Sequence, residues 1–549
     1  MTSDLSVVAF RVSSCDFVDS SFGGGNGTIH EITRTNTNKT RRETRVYTHT
    51  THTLKCVRNE IKTFEAKPVG RGNMFQRLLI VLALVLFVGV TAARAQSDEE
   101  AEPKVPDRSY KLLREDEDWS FLRDPRLRRD PWDKIKYIPL RKNSDDWYLT
   151  IGGEAREVWE QIGNENWGQQ PFMNGYLNQR YMLSLDLHLG KRVRTFFEFK
   201  SGLNSSRQGG PRPIDEKKLD FQAAFLELST AGTRNWIKIR AGRQEMEYGS
   251  GRLVDVREGP NVRLSFDGFK VMAKINSWRI DGFAMRPDVD KPGFFDNVPN
   301  HEISFWGVYA TRPLSKTMSL DAYYLGLNRK HATFQRGTAQ EVRHSVGARV
   351  SRPIATERPG WDFDYEALWQ FGSFGSKDIR AWTMASETGY RLTSVALKPR
   401  FSVKVDVSSG DHPKSNPNTL GTFNPLFPKG NYFGVLATTG PGAVNFIDLH
   451  PKIDLTLPHS ITASFDWIVQ WRQSLEDGVY AVPGSLIRAA DGSRERFVGH
   501  RPGMEVRWQV NPHLWFQGDY GIFYAGRFLK DTQPGRNLNY WALWAGYKF

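Results

Sequence analysis

Basic side chains recur on one face of several short segments. Lys238 and Arg240 form one such pair, and Arg400 precedes Lys404 in another. The planar guanidinium group of arginine donates two parallel hydrogen bonds to a carboxylate, and lysine supplies a mobile point charge. Rows of these groups are typical of a surface that binds and passes anions.

Carboxylates alternate in the same way at Asp362, Asp364 and Glu366. Paired carboxylates catalyse glycoside hydrolysis. An enzyme, either a secreted hydrolase or a hydrolase built on a barrel, is therefore one alternative function. The same spacing, however, places all three on the polar face of one strand. The G-x-S-x-G and H-E-x-x-H motifs of hydrolases do not occur. We therefore predict no catalytic residue, no cofactor and no metal site.

A signal for export begins at Met74. Residues 74–95 combine a short basic start, 13 consecutive apolar residues and an A-x-A cleavage sequence that ends at Ala95. The apolar run is shorter than the roughly 20 residues of a membrane-spanning helix, so we predict a signal peptide cleaved before Gln96. The preceding residues, 1–73, have no apolar period. We interpret them as the product of a start codon assigned too early, or as a disordered extension.

Removal of the leader changes the composition. Residues 1–95 contain both cysteines, 13 Lys or Arg and 7 Asp or Glu, so the remainder has 62 basic and 54 acidic residues, a net charge of +8. Disulfides and thiol chemistry are excluded, and the mild positive charge does not indicate a nucleic-acid partner. Aromatic residues make up 13% of this polar, exported chain. That combination favours a β-barrel of the Gram-negative outer membrane.

Strict alternation supports this fold class. In the segment 361–372, Trp, Phe and Tyr occupy one face, and Asp362, Glu366 and Gln370 lie on the other. A barrel strand alternates in this way because one face meets lipid and the other meets water. A soluble β-sandwich also alternates, so the lengths of the connections are needed to distinguish the two classes.

The connections between strands alternate in length. Eighteen alternating segments are predicted to begin near Trp147, Tyr181, Arg192, Leu219, Asn235, Val262, Ser277, His301, Met318, Gln340, Trp361, Ser376, Arg400, Val444, Ser460, Arg496, His513 and Tyr540. Links after even-numbered segments are mostly short. Links after odd-numbered segments are mostly long, as at 158–180 and 409–443. We therefore predict an all-β, antiparallel, up-and-down transmembrane barrel of about 18 strands over 147–549, with short periplasmic turns and long extracellular loops.

The final segment alternates up to a terminal aromatic residue. Trp541, Tyr547 and Phe549 lie on one face of the last strand. A terminal Phe of this kind resembles the signal that the barrel-assembly machinery recognises in outer-membrane proteins. We therefore predict the assembly machinery as a partner through Phe549.

The same alternation assigns side chains to the lumen, which is water-filled in a barrel of 16–18 strands. The predicted lumen residues are Arg194, Lys200, Lys238, Arg240, Arg263, Arg279, Asp281, Arg343, Arg349, Arg400, Lys404, Asp406, Arg472 and Arg507. Cations outnumber anions in this set, which predicts an anion-conducting path. The alternative is that Arg–Asp and Arg–Glu ladders only brace the wall. The segment 219–230 fits both face assignments and receives none.

Longer stretches resemble the alginate-export porins, a family of 18-stranded outer-membrane barrels. The resemblance covers about 109–549. The stretches that support it are Ser408-Ser409-Gly410-Asp411, Thr422-Phe423-Asn424-Pro425-Leu426-Phe427-Pro428, Leu149-Thr150-Ile151-Gly152-Gly153-Glu154, Ala241-Gly242-Arg243-Gln244 and Asn261-Val262-Arg263-Leu264-Ser265-Phe266-Asp267-Gly268. It implies a constricted, basic pore that passes an acidic polyuronate.

Several expectations follow for the other parts of the chain. The Pro- and Gly-rich loop 409–443 should be extracellular, either as a lid over the mouth or as a contact for lipopolysaccharide. Residues 96–146 should be periplasmic, where export partners could dock. We expect a monomer surrounded by outer-membrane lipid. The alternative function is an uptake porin for small organic anions, which the sequence does not separate from polysaccharide export.

Overall fold

A computed structural model describes residues 108–230, 232, 235–354, 359–430 and 440–549. Eighteen long antiparallel strands follow one another in the described chain, and each pairs with its neighbours in sequence. The last strand pairs with the first, so the barrel is closed. The predicted leader and signal peptide lie outside the described residues and remain predictions.

The strands of the first half are β1 (Trp147–Asn164), β2 (Gln170–Leu189), β3 (Val193–Ser205), β4 (Lys217–Ser229), β5 (Trp236–Gln244), β6 (Phe266–Ile275), β7 (Trp278–Val289), β8 (Ile303–Pro313) and β9 (Ser319–Phe334). Those of the second half are β10 (Gly337–Arg352), β11 (Gly360–Phe374), β12 (Lys377–Arg391), β13 (Arg400–Ser408), β14 (Phe446–Leu457), β15 (Ile461–Trp471), β16 (Phe497–Gln509), β17 (Leu514–Ala525) and β18 (Leu538–Lys548). The predicted fold class and strand number are confirmed.

Helices are short. The α-helices are Asp133–Lys136, Glu165–Gly168 and Arg527–Asp531, and the 3-10 helices are Arg114–Asp116, Ser120–Arg123 and Pro125–Leu127. The other strands of the described residues are short, with two residues at Ile138–Pro139, Val298–Pro299, Thr419–Leu420 and Val479–Tyr480 and three at Leu486–Arg488. Among the described residues, no helix is long and apolar enough to cross a membrane.

On the outer face of the barrel, apolar side chains are exposed. Trp361 and Trp369 are 59% and 48% exposed, whereas Glu366 between them is 7% exposed and faces the interior. Burying a charge on the lipid side would cost about 2–4 kcal/mol at mid-membrane, which is why the alternation is strict.

Two predicted boundaries differ from the structure. The strand β2 begins at Gln170 rather than near Tyr181, so the predicted long link 158–180 is wrong and a five-residue turn replaces it. Inward-facing Asn174, Tyr176 and Asn178 are buried in this extra hairpin, but the outward face mixes Met173 with Gly175 and Gln179, so the apolar alternation is weak. The strand β6 begins at Phe266 rather than near Val262 because the preceding residues belong to an inward-folded loop.

A β-bulge explains the segment whose faces could not be assigned. The pairing of β3 with β4 shifts between Glu198 and Phe199, and consecutive residues Gln222 and Ala223 are both fully buried. A bulge inserts one extra residue and reverses the inward–outward alternation beyond it. No single period could therefore fit this strand.

Candidate functional site

Apolar side chains fill one side of the barrel interior. Inward-facing Phe305, Leu325 and Leu368 form a buried cluster with Phe423 and Phe427. The last two belong to the β13–β14 loop (409–445), which is described at 409–430 and 440–445. The buried part of this loop, 420–428, therefore lies inside the barrel and narrows the lumen, whereas residues 414–418 are exposed.

Polar contacts fix the β13–β14 loop against the wall. The buried Arg343 donates to the Glu341 carboxylate at 2.6 Å and to the Thr422 carbonyl at 3.2 Å. Asn424 donates its side-chain amide to Glu341 at 3.0 Å and its backbone N–H to Gln370 at 2.9 Å. Buried polar groups are stable only when they are hydrogen-bonded in this way.

A buried carboxylate joins this loop to the β15–β16 loop (472–496). Asp477 accepts hydrogen bonds from the Thr422 and Tyr480 hydroxyls at 2.6 Å each. It also accepts the backbone N–H groups of Asp411 at 2.9 Å and Gly478 at 2.8 Å. Burial raises the pKa of Asp477, and these four donors act against that rise. One side chain thus holds both extracellular loops.

The β5–β6 loop (245–265) also enters the lumen. Its Val254 forms a parallel bridge with Phe427, so two inward loops support each other. Arg263 in this loop donates to Glu245 at 2.8 Å and lies 3.3 Å from Glu258. Arg180 of β2 binds the same Glu258, which links the loop to the wall.

The N-terminal segment (residues 108–146, described throughout) enters the barrel at the rim where β1 begins and β18 ends. Its buried Glu115 pairs with Arg240 of β5 at 3.0 Å. The Glu115 carbonyl accepts a hydrogen bond from Arg194 at 2.7 Å, and the Leu112 carbonyl accepts one from Arg263 at 2.9 Å. Burial raises the pKa of Glu115, and the Arg240 charge opposes that rise.

The same segment contacts the C-terminus. Arg114 donates to the Phe549 carbonyl at 2.8 Å, and the Trp132 ring stacks on the Phe549 ring with centroids 4.5 Å apart. Phe549 also exchanges two backbone hydrogen bonds with Gly153. A side chain at Gly153 would overlap the Phe549 ring, so glycine allows this close approach. The N-terminal segment is therefore part of the barrel structure.

Replacing Lys136 with methionine should hold the N-terminal segment more tightly, most clearly below pH 7. Burial and the neighbouring Arg114 charge lower the pKa of Lys136 to about 7, and its Nζ atom has no hydrogen-bond partner. The free lysine has a pKa of about 10.4, so docking weakens when the pH falls from that value towards 7. Below pH 7 the penalty is constant and largest.

The measurement is the rate at which proteinase K cuts the N-terminal segment of the refolded barrel. We expect Lys136→Met to be cut about tenfold more slowly than the wild type near pH 6, with a smaller difference near pH 9. The exposed Lys134 on the same helix provides the control, Lys134→Met. Equal rates for the two variants near pH 6 would contradict the prediction.

The open part of the interior is a cavity of about 620 Å³ on the other side of the barrel. It is bounded by β12–β18 and β1, with Tyr110 and Leu112 of the N-terminal segment at its edge. Its basic residues are Arg156, Lys404, Lys452, Arg507 and Lys548. Its acidic residues are Glu160, Glu258, Glu387, Asp466, Glu505 and Asp519. Five cations and six carboxylates make the lining mixed in charge.

Of the fourteen predicted lumen residues, Lys404 and Arg507 line this cavity. Most of the others lie in ion pairs with the wall. These pairs are Arg194–Asp186, Lys200–Asp288, Lys238–Glu227, Arg240–Glu227, Arg263–Glu245, Arg279–Asp281, Arg343–Glu341, Arg349–Asp321, Arg400–Asp362 and Arg252–Asp406. Most of the predicted lumen residues therefore brace the barrel wall through ion pairs.

Two predicted residues lie on loops rather than strands. Arg263 is in the β5–β6 loop, and Arg472 directly follows β15. The fully buried Arg472 donates to the carbonyls of Ser493 at 2.9 Å and Leu475 at 3.1 Å. Its guanidinium carbon lies 4.0 Å from the centre of the Phe528 ring. These contacts brace the extracellular loops.

Sequence reasoning missed the cavity residues Lys452, Lys548 and Arg156. Lys452 lies on the polar face of β14, and the alternation of that strand was sufficient to place it. Lys548 lies 3.4 Å from Glu154 across the seam between β18 and β1, which no local pattern reveals. Within the described ranges, no group of three His, Cys, Asp or Glu residues is placed to hold a metal ion.

Comparisons with known proteins agree with this geometry. The family model described as alginate export matches residues 147–542. No curated protein matches the chain. Among solved structures, Pseudomonas aeruginosa OpdO is similar at 10% identity with a TM-score of 0.51, over 73% of this chain and 97% of that one. Acinetobacter baumannii OccAB1 is similar at 11% identity with a TM-score of 0.50, over 76% and 99%.

At these identities, the solved structures show the fold alone. The family match is more informative because it spans all but the end of the barrel, from the first residue of β1 to the middle of β18. It covers the inward loops and the strands that surround the cavity. The chain therefore belongs to the alginate export family and is an outer-membrane β-barrel channel.

Proposed function

We propose that the channel passes acidic polysaccharide of the alginate type, or related acidic sugars, without consuming energy. The observation that carries the proposal is the series of cations along the cavity, Lys404, Lys452, Arg507 and Lys548, in a member of this family. A polyuronate bears one carboxylate per sugar, so such a series offers several equivalent sites along the path.

The partners of these cations differ, and Lys452 forms a close ion pair with Asp454 at 2.7 Å. The Lys548 ammonium group lies 3.4 Å from the Glu154 carboxylate, which is longer than a close ion pair. Arg507 contacts the neutral amide of Gln517 at 3.4 Å. A cargo carboxylate can compete for such groups and still dissociate, as conduction requires. Because six carboxylates also line the cavity, we expect a moderate rather than a strict preference for anions.

The test is the reversal potential of the refolded chain 96–549 in a planar bilayer across a KCl gradient. We expect anion selectivity, and block of the current by polyuronate added on the periplasmic side. Cation selectivity would reject the anionic cargo and leave the barrel assignment intact. Absence of polyuronate block with retained anion selectivity would favour small organic anions.

Replacing Arg507 with glutamate should shift the reversal potential towards cation selectivity. The substitution changes the charge of the cavity lining by two units at a position that contacts a neutral amide, so no buried ion pair is broken. Lys142→Glu, at an exposed position outside the cavity, makes the same change in net charge and should leave the selectivity unchanged. Equal reversal potentials for both variants would show that Arg507 does not face the conducting path.

Uptake of small organic anions is the second candidate. The cavity of about 620 Å³ falls within the range of ordinary small-molecule sites, which is about 300–1,000 Å³. Direction and cargo would differ from export, whereas the fold and the lining would be the same. We expect no hydrolytic activity in either case, since the alternating acids Asp362 and Glu366 are buried against Arg400 and Tyr323.

We further propose that the barrel is a monomer delivered by the assembly machinery after cleavage before Gln96. The packing of Phe549 between Trp132 and Gly153 supports a recognition signal that is partly buried once folding is complete. The exposed part of the N-terminal segment, such as Arg123 and Arg129, is the surface that periplasmic export partners would meet. The extracellular loops would meet lipopolysaccharide.

A further inference from the structure

The lipid-facing wall between β11 and β16 contains two strand-interior prolines. Pro451 lies in β14 and Pro502 in β16, on either side of Trp467 in β15. Pro502 is directly opposite Trp467, and the β14–β15 ladder is interrupted at Pro451. Proline cannot donate to the ladder, so a strand that contains it bends or leaves a gap. The wall is therefore not smooth at this point.

A groove of about 760 Å³ opens on the outer wall here. Its outward-facing lining residues are Trp361, Thr388, Tyr390, Phe401, Val403, Pro451, Ile453, Phe465, Trp467 and Pro502. Apart from the Thr388 and Tyr390 hydroxyls and the indole nitrogens, these side chains are apolar. The exposed lipid face of a barrel is otherwise a row of single side chains, so a concave apolar site of this volume is a distinct feature.

The groove extends over one membrane leaflet. Trp361 and Phe401 are the second residues of strands that begin at the periplasmic rim, and Trp467 is six residues into β15. At about 3.3 Å per residue and a tilt of about 40°, this distance spans roughly 15 Å of the membrane normal. The apolar band of such barrels is about 25 Å tall. The groove therefore ends near the middle of the membrane.

The turn next to the groove suits a lipid headgroup. Residues 392–399 join β12 to β13 between Tyr390 and Phe401, which both line the groove. The side chains of Val395 and Leu397 are 48% and 44% exposed in this turn, and Lys398 follows them in an exposed position. An apolar turn that bears a cation is suited to the boundary between acyl chains and phosphate groups.

We propose that this groove binds one acyl chain of a phospholipid of the periplasmic leaflet, with the phosphate at Lys398. The length of the groove matches one leaflet, and its walls continue the lipid-facing surface of the barrel. The charge of Lys398 complements a phosphate. The inference is independent of the cargo, since the groove lies on the outside of the wall.

The experiment uses the refolded chain 96–549 with palmitoyl-oleoyl phosphatidylglycerol in detergent, followed by native mass spectrometry. We expect the wild type to retain one phospholipid per barrel. Val403→Trp, which fills the groove, should lower the retained fraction about fivefold or more, and Ile453→Trp should act in the same way. Faster gel mobility before boiling confirms that each variant is folded.

The matched control is Val346→Trp, at an outward position on β10 that is 50% exposed and lies outside the groove. It should retain lipid as the wild type does. Lys398→Gln should weaken retention of phosphatidylglycerol and leave retention of diacylglycerol unchanged. Equal retention in Val403→Trp and Val346→Trp, or a wild type that retains no lipid, would overturn the proposal. A dimer mass in place of a bound lipid would also overturn it, because the groove would then be a protein interface.

Discussion

Reversing the charge of Glu115, by Glu115→Lys, is expected to release the N-terminal segment from the barrel interior and to raise the single-channel conductance several-fold. Glu115 is 3% exposed and pairs with Arg240 at 3.0 Å. Breaking a buried ion pair by removing one partner costs about 3–5 kcal/mol. The lysine would also face Arg240 and Arg194 in the same pocket, so repulsion adds to the lost attraction.

A cost of this size shifts a two-state equilibrium by about two to four powers of ten. The undocked state should therefore become far more populated than in the wild type. Because Tyr110 and Leu112 border the cavity, their departure widens the periplasmic end of the path. The barrel itself should remain folded, since Arg240 keeps Glu227 as a second partner at 2.7 Å.

Single-channel recording of the full mature chain in planar bilayers measures this effect. Asp116→Lys is the matched control, because it makes the same change in charge one residue away at an exposed position. It should leave conductance close to the wild-type value. If Glu115→Lys and Asp116→Lys conduct equally, the segment does not limit the current.

The barrel wall was predictable because lipid and water impose a period of two on every strand. Trp361, Trp369 and Glu366 follow that rule, and so do the strands around them. The rule fails at Gln222 and Ala223, where a bulge reverses the faces. The rule gives only a weak signal in the hairpin that includes Asn174, because the outward face there mixes Met173 with Gly175 and Gln179.

The contents of the barrel were much less predictable. Phe423 and Phe427 lie in a Pro-rich loop without periodicity, and their burial depends on side chains of β8, β9 and β11 that are distant in sequence. The pairing of Glu115 with Arg240 joins residues 125 positions apart. Charge on an inward face identified lumen residues but did not distinguish a conducting path from bracing, because the partner carboxylates come from other strands and loops.

Replacing Asp477 with alanine should free both extracellular loops and make the channel conductance larger and noisier. The substitution leaves four buried donors without their acceptor, namely the Thr422 and Tyr480 hydroxyls and the backbone N–H groups of Asp411 and Gly478. Each unsatisfied buried donor costs about 1–3 kcal/mol, although the costs are not additive. The loss exceeds what most surface contacts of a loop contribute, so the loops should detach locally.

Local detachment is expected rather than global unfolding, because the strand ladders do not involve Asp477. The measurements are single-channel current and the rate of proteolysis within 409–445. Asp477→Asn keeps one acceptor oxygen, so its effect should lie between those of the wild type and Asp477→Ala. Asp378→Ala is the control, since that side chain is 69% exposed where its strand meets the same loop. If Asp477→Ala shows the wild-type current and the wild-type rate of proteolysis, the apolar cluster around Phe427 is sufficient to hold the loops. The Asp477 carboxylate would then not control the channel conductance.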